Sequence, residues 1–78
     1  MRTSYIYYFN HQEVSRKELL EKLKQDCQKV VSTDYVGSIG IDLMDLDEKA
    51  YKENIREIDK GTRIYFMRSK NSYYRKVR

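Results

Sequence analysis

The stretch SRKELLEKLKQDCQKVV, Ser15 to Val31, decides the fold that the sequence predicts. Ser15 followed by Glu18 forms a capping box, so a helix should begin at about Arg16. It should run to about Val31, because apolar residues recur at the spacing of one helical face over the whole stretch: Leu19, Leu20, Leu23, Cys27, Val30 and Val31. The predicted helix therefore has one buried face, which needs a sheet or a second helix to cover it.

The segment before this helix predicts a strand and a tight turn. TSYIYYFN, residues 3–10, is rich in aromatic and β-branched residues, which favour a pleated surface. Asn10 and His11 lie where a two-residue hairpin turn would lie, although His11 carries a steric cost there that glycine would not. A second, short strand is then expected before Ser15.

The segment after the helix predicts a strand, a second helix and a final hairpin. VGSIGIDLM, residues 36–44, has the two-residue period of a half-buried strand. Asp45 and Glu48 are placed to cap a helix, and Gly61 lies where a left-handed residue would end it. Residues 62–78 predict strand, turn and strand. The order β(β)αβαββ predicts an α+β fold, a small two-layer sandwich with two helices on one face of a three- to five-stranded mixed or antiparallel sheet.

Length and composition limit the class of protein. A chain of 78 residues fits one domain, residues 1–78, and its one cysteine excludes an internal disulfide framework and favours a reducing compartment, so we expect a cytoplasmic protein. The longest apolar run is much shorter than a membrane helix, so we expect no membrane partner.

The sequence predicts neither an enzyme nor a metalloprotein. The carboxylates around Asp42 lack the spacing and the glycine of a calcium loop. The only histidine, His11, leaves at most one pairing of a nucleophile with a base, and no glycine-rich loop is present to hold phosphates. We therefore expect no catalytic residue, no metal ligand and no cofactor.

Charge is distributed unevenly along the chain, with +2 in residues 1–30, −5 in residues 31–59 and +7 in residues 60–78. The last segment interleaves cations with tyrosines, which is typical of surfaces that anchor a protein partner or that hold phosphates and stack bases. Equally, a solvent-facing hairpin uses cations to prevent aggregation through its edges. The candidate partner-binding residues are Arg63, Tyr65, Arg68, Lys70, Tyr73, Tyr74, Arg75, Lys76 and Arg78.

A second candidate surface is acidic and consists of Asp42, Asp45, Asp47 and Glu48. These carboxylates either imitate nucleic-acid phosphates for a nucleic-acid-binding protein or solvate the start of a helix and complement its dipole. The net charge of +4 argues against simple DNA mimicry.

Three pieces of the chain, YYFN, VSRKELLEKL and TDYVGSIGIDLMDLDEKAY, together resemble the small proteins that phages and integrated elements of low-GC Gram-positive bacteria encode. The resemblance covers most of the chain and supplies no site residues. It implies an accessory role in the cytoplasm of a bacterial host cell, and proteins of that setting often bind and disable a host machine, anti-CRISPR inhibitors of Cas nucleases among them.

Two functions follow as expectations. The first is a non-enzymatic protein that binds and inhibits or modulates a host protein or nucleoprotein complex, with Arg68, Tyr73, Tyr74 and Arg75 as anchors. The alternative is a direct nucleic-acid-binding protein that uses the same basic hairpin. A homodimer through an exposed edge strand is a third arrangement to be tested.

Overall fold

The chain alternates pairs of strands with single helices. The computed structural model describes residues 3–78. In chain order the elements are β1 (Tyr5–Phe9), β2 (Gln12–Val14), α1 (Arg16–Asp26), β3 (Gln28–Val36), β4 (Ile39–Leu46), α2 (Glu48–Asp59), β5 (Ile64–Phe66) and β6 (Asn71–Val77). The predicted α+β class is confirmed.

Four strands form one antiparallel sheet in the order β2-β1-β6-β5, and both helices pack on one of its faces. The core lies between these layers. The core contains five buried residues: Leu19 and Leu23 of α1, Cys27 at the C-cap of α1, Ile58 of α2 and Tyr73 of β6. Alternate residues of the strands close this core from the sheet side, Phe9 and Ile64 among them, because they lie directly beside Tyr73 in the register.

The first hairpin turns at Asn10 and His11, as predicted. Both residues have positive φ, 50° and 66°, the signature of a type I′ turn. Asn10 is also tied to β6, since the backbone amide of Ser72 donates to its side-chain oxygen at 2.9 Å and its own amide donates to the Ser72 carbonyl at 3.0 Å. These bonds offset the cost of the left-handed backbone at Asn10.

Helix α1 ends five residues earlier than predicted, so the prediction of helix from Cys27 to Val31 is wrong. Residues 28–36 form β3, and Val30 and Val31 are about half exposed instead of covering the core. β-branched residues favour strands, and here the strand is realised because β4 pairs with β3 along its whole length. Residues 32–34, which lie between the predicted helix and the predicted strand at residues 36–44, also belong to β3.

Helix α2 also begins later than predicted. Its N-cap is Asp47, whose carboxylate accepts from the backbone amide of Ala50 at 3.2 Å, whereas Asp45 belongs to β4. The far end is as predicted: the helix ends at Asp59, and Gly61 follows with φ 93°, which is favourable only for glycine.

Strands β3 and β4 do not join the four-stranded sheet but form a separate two-stranded ribbon, which we call the ribbon (residues 28–46). Every residue of β3 is exposed, as is every residue of β4 except Leu46. The molecule measures 60 × 21 × 18 Å, and its radius of gyration is 15.5 Å, whereas a compact chain of this length has about 11.5 Å. The ribbon is therefore a projecting arm.

Candidate functional site

The ribbon leaves the body at a closed base. The backbone amide of Asp47 donates to the carbonyl of Cys27 at 2.8 Å, so the residues on either side of the ribbon are held together. At the tip, Gly37 has φ 65° while Ser38 is not in the left-handed region, which fits a two-residue turn of type II′. The ribbon is thus an insertion between α1 and α2 whose two ends meet.

One face of the ribbon is apolar and uncovered. Residues paired in an antiparallel ladder lie on the same face, so Val36 and Ile39 share a face with the next members along β4, Ile41 and Leu43. Their side chains remain 67%, 67%, 49% and 46% exposed in that order. Four neighbouring aliphatic side chains in water are costly, and such a contiguous strip is typical of a binding surface.

The opposite face of the ribbon has its own packing. The ring of Tyr35 lies across Gly40, since a Cβ at residue 40 would stand 3.2 Å from Tyr35 Cε1. Beside this pair, the Thr33 hydroxyl donates to the Asp42 carboxylate at 2.8 Å. These contacts hold the two strands in register, while Tyr35 itself stays 74% exposed, so both faces of the ribbon are open to solvent.

The ribbon is acidic and the rest of the chain is basic. Residues 28–46 contain one cation, Lys29, and three anions, Asp34, Asp42 and Asp45, which gives a net charge of −2, while the other residues sum to +6. The arm therefore repels nucleic-acid phosphates and suits a partner surface that carries positive charge.

The basic C-terminal residues divide between the two faces of the sheet. Tyr74 and Lys76 lie on the face away from the helices, which we call the open sheet face, together with Tyr8 and Ile6 of β1. The Tyr8 and Tyr74 rings are stacked with centroids 5.0 Å apart, and the Arg63 guanidinium lies 4.6 Å from the centre of the Tyr74 ring.

Tyr73 lies in the core and has no exposed surface to offer a partner. Its hydroxyl lies 3.0 Å from the Lys22 carbonyl and contacts the carboxylate of Asp26, which also accepts from the Asn71 amide at 3.0 Å. Burial first, and then the bond to Asp26, raise the pKa of the Tyr73 hydroxyl well above its ordinary value. Tyr73 therefore joins the end of α1 to the sheet.

Arg75 also acts within the fold. It points to the helix side, where its guanidinium contacts the Asp59 carbonyl, lies 3.3 Å from the Asp59 carboxylate and covers the Tyr5 ring at 3.6 Å from the centroid. The same carboxylate accepts from Arg16 at 3.1 Å, so Asp59 links both helices and β6. Arg75, with 15% of its side chain exposed, has little surface left for a partner.

The remaining candidate partner-binding residues, one of them the predicted anchor Arg68, are exposed. Tyr65 lies on edge strand β5 with 56% of its surface exposed, and it shares the open sheet face with Tyr74 because it pairs with Ser72. Arg68 and Lys70 lie in the exposed loop between β5 and β6. Arg78 follows β6 at the other end and approaches Glu13 at 3.8 Å.

The acidic candidates do not form one surface. Asp42 and Asp45 belong to the ribbon, whereas Asp47 and Glu48 cap and begin α2. Among residues 3–78, no three histidine, cysteine, aspartate or glutamate side chains come close enough together to hold a metal ion. Within the same residues neither helix is long and apolar enough to cross a membrane.

Sequence reasoning missed two sets of functional candidates. The apolar face of the ribbon was hidden because Val30 and Val31 also fit the period of α1, yet the Gly37-Ser38 pair between two runs of alternating residues is a hairpin signal. On the open sheet face, Tyr8 and His11 were treated only as strand and turn residues. The His11 ring nitrogen Nδ1 lies 3.0 Å from the Tyr74 hydroxyl.

Fold and surface together define a small α+β protein that carries a projecting, acidic and partly apolar hairpin on a basic body. No protein-family model, curated protein or solved structure matches the chain.

Proposed function

We propose that this protein is a non-enzymatic binding protein that docks the apolar face of its ribbon onto a partner protein. The observation that carries the proposal is the exposure of Val36, Ile39, Ile41 and Leu43 side by side on an arm that leaves the body. A two-stranded ribbon is at best marginally stable by itself in water, so a partner that covers this face also stabilises the arm.

The ribbon offers two kinds of contact. Covering the four side chains removes about 300 Å² of apolar surface, worth about 7 kcal/mol, which is comparable to the cost of association and so gives only weak binding alone. Within residues 3–78, no strand pairs with the outer edges of β3 and β4, since the ribbon has two strands. A partner strand added at either edge supplies main-chain hydrogen bonds as well.

The partner surface is expected to be an apolar strip with a positive rim. Asp34 lies opposite Ile41 on the apolar face, and Asp45 follows Leu43 on the same side of β4. Carboxylates at these places favour lysine or arginine around the strip. Such a surface is typical of a protein that holds nucleic acid. A partner of this kind agrees with what the resemblance to phage and mobile-element proteins implies, namely binding to a host protein or nucleoprotein complex. A CRISPR–Cas nuclease is one such complex.

The test is site-specific photocrosslinking in a lysate of a Gram-positive bacterium. A photoreactive amino acid replaces Ile41 on the apolar face and, as a matched control, Lys52, which is exposed on α2. We expect one discrete adduct from position 41, identified by mass spectrometry, and none from position 52. The adduct should disappear when Ile39→Asp is added, while the circular dichroism spectrum is unchanged.

Two results contradict the proposal. Equal labelling at positions 41 and 52 means that the ribbon is not the docking surface. An adduct of exactly two copies of this chain, with light scattering that shows a dimer at the same concentration, means that the apolar face joins identical protomers instead.

A further inference from the structure

The open sheet face carries a second cluster that the ribbon does not explain. It consists of three tyrosines on adjacent strands, Tyr8, Tyr65 and Tyr74, with Arg63 over the Tyr74 ring and Lys76 near the Tyr8 and Tyr74 rings. We propose that this face binds single-stranded nucleic acid, with bases stacked on the aromatic and guanidinium planes and phosphates held by the cations. This site is separate from the ribbon and does not depend on the proposed docking.

The aromatic groups are arranged as a platform. Tyr8 and Tyr74 occupy the two central strands and stack at 5.0 Å with an interplanar angle of 15°. Tyr74 is itself buried, since Tyr8 and the Arg63 guanidinium cover it. The surfaces left for bases are therefore the guanidinium plane of Arg63, the half-buried Tyr8 ring and the exposed Tyr65 ring. Aromatic and guanidinium planes accept any base, because every base has a π-face.

The open sheet face also carries the carboxylate of Glu13, which lies beside Tyr8 in the register and is 3.8 Å from Arg78, whereas the cations over the tyrosines have no such partner within residues 3–78. In the described part of the chain, neither Arg63 nor Lys76 has a carboxylate within 4 Å, whereas Arg16 and Arg75 share Asp59 on the helix side. The Lys76 ammonium lies 5.6 Å and 5.9 Å from the centres of the Tyr8 and Tyr74 rings. Arg68 and Lys70 extend the positive charge into the neighbouring loop. Cations without acidic partners are the groups that phosphates bind, with release of counterions.

The geometry favours a single strand over a duplex. A sheet face meets bases only where they are unpaired and free to lie flat, while the bases of a duplex are stacked inside it. The acidic ribbon, which repels phosphate, cannot act as the basic arm that enters a groove. Of the ribbon and the open sheet face, the open sheet face is therefore the one that suits a polyanion.

The experiment measures fluorescence anisotropy of labelled 12-nucleotide oligo-dT and oligo-U, with a 12-base-pair duplex in parallel, from about 25 to 200 mM salt. We expect micromolar binding of the single strands, a slope of log K against log salt of about −2 to −3 for three to four phosphate contacts, and weaker binding of the duplex. Arg63→Glu with Lys76→Glu should weaken binding at least 10-fold and reduce the slope by about 1.4.

Matched controls separate a site from general charge. Lys17→Glu with Lys52→Glu changes the net charge equally, but on exposed positions of the helices, and should change binding less than about 3-fold. Tyr65→Ala should weaken binding about 5- to 150-fold through the loss of one stacked base. Tyr35→Ala, at a tyrosine that is 74% exposed on the ribbon, should leave it unchanged.

Any of three results overturns the proposal. The first is no binding of the single strands at 25 mM salt. The others are a loss of affinity in Lys17→Glu with Lys52→Glu as large as in Arg63→Glu with Lys76→Glu, or a loss in Tyr35→Ala as large as in Tyr65→Ala. The Ile39→Asp variant distinguishes this site from the ribbon, because it should retain full nucleic-acid binding while it loses the protein adduct.

Discussion

Shortening the ribbon is the most direct test of the architecture. Residues 33–42 are removed and Ser32 is joined to Leu43 through an Asn-Gly turn, since these two residues are paired in the ladder. The base of the ribbon, with the hydrogen bond between Cys27 and Asp47, remains intact.

The expected magnitudes follow from the geometry. Four residues per strand at about 3.4 Å each shorten the 60 Å dimension by about 14 Å, and the radius of gyration should fall from 15.5 Å by about 2 to 3 Å. All ten residues removed are exposed, so no core contact is lost. The connection between Cys27 and Asp47 shortens from 19 residues to 11. A shorter loop costs less entropy to close, which favours folding by about 0.5 kcal/mol. The free energy of unfolding should therefore change by less than about 1 kcal/mol, and Tm by less than about 6 °C.

Small-angle scattering measures the radius of gyration, and thermal and urea unfolding measure the stability. An unchanged radius of gyration would refute the projecting arm, because it would mean that the ribbon lies against the body in solution. A fall in Tm of more than about 10 °C would refute its independence from the core.

Three further outcomes test the body of the protein. Tyr73→Phe should lower the free energy of unfolding by about 1 to 2 kcal/mol at pH 7. Between pH 9 and 11, the urea midpoint of this variant should fall less than the urea midpoint of the wild type. The reason is that the raised pKa of folded Tyr73 stabilises the native state below the ordinary pKa of about 10, and this stability is lost as pH rises above it. Burial raises the pKa of the Cys27 thiol, so a thiol-reactive disulfide reagent should modify the native protein at least about 100-fold more slowly than the urea-unfolded chain; equal rates would place Cys27 at the surface. Asp47→Ala should lower the free energy of unfolding by about 1 kcal/mol through the lost N-cap, whereas Asp45→Ala should lower it by less than about 0.5 kcal/mol. A larger loss in Asp45→Ala would mean that Asp45 is the N-cap, as the sequence predicts.

Much of the body was predictable because local signals and packing agree there. The N-cap at Ser15 is formed, with the Glu18 amide donating to the Ser15 hydroxyl at 3.1 Å, and the apolar positions from Leu19 to Cys27 face the core as their spacing requires. The turn at Asn10 was predictable for the same reason, since asparagine tolerates the left-handed region.

The ribbon was not predictable as a whole because two periods overlap at its start. Val30 and Val31 continue the helical spacing of α1, and only pairing with β4 shows that they belong to a strand with a bulge between Val30 and Ser32. Long-range pairing is not encoded in the spacing of either strand alone.

The candidate site was only partly predictable because neighbouring residues of a strand point to opposite faces. Tyr73 and Tyr74 are adjacent and chemically identical, yet Tyr73 joins the core and Tyr74 the open sheet face. Composition makes both tyrosines candidates for a binding surface. Which of the two is buried depends on the face of the sheet that the helices cover.

The hydrogen bond that joins Cys27 to Asp47 closes the base of the ribbon, so the body depends little on the inserted residues apart from Leu46, which packs against the core. Sequence variation can lengthen, trim or rewrite the exposed part of the inserted strands without disturbing Leu19, Leu23 or Ile58, so related chains are expected to keep the same framework while the projecting part differs. The same property makes this framework suitable as a carrier for grafted hairpin epitopes.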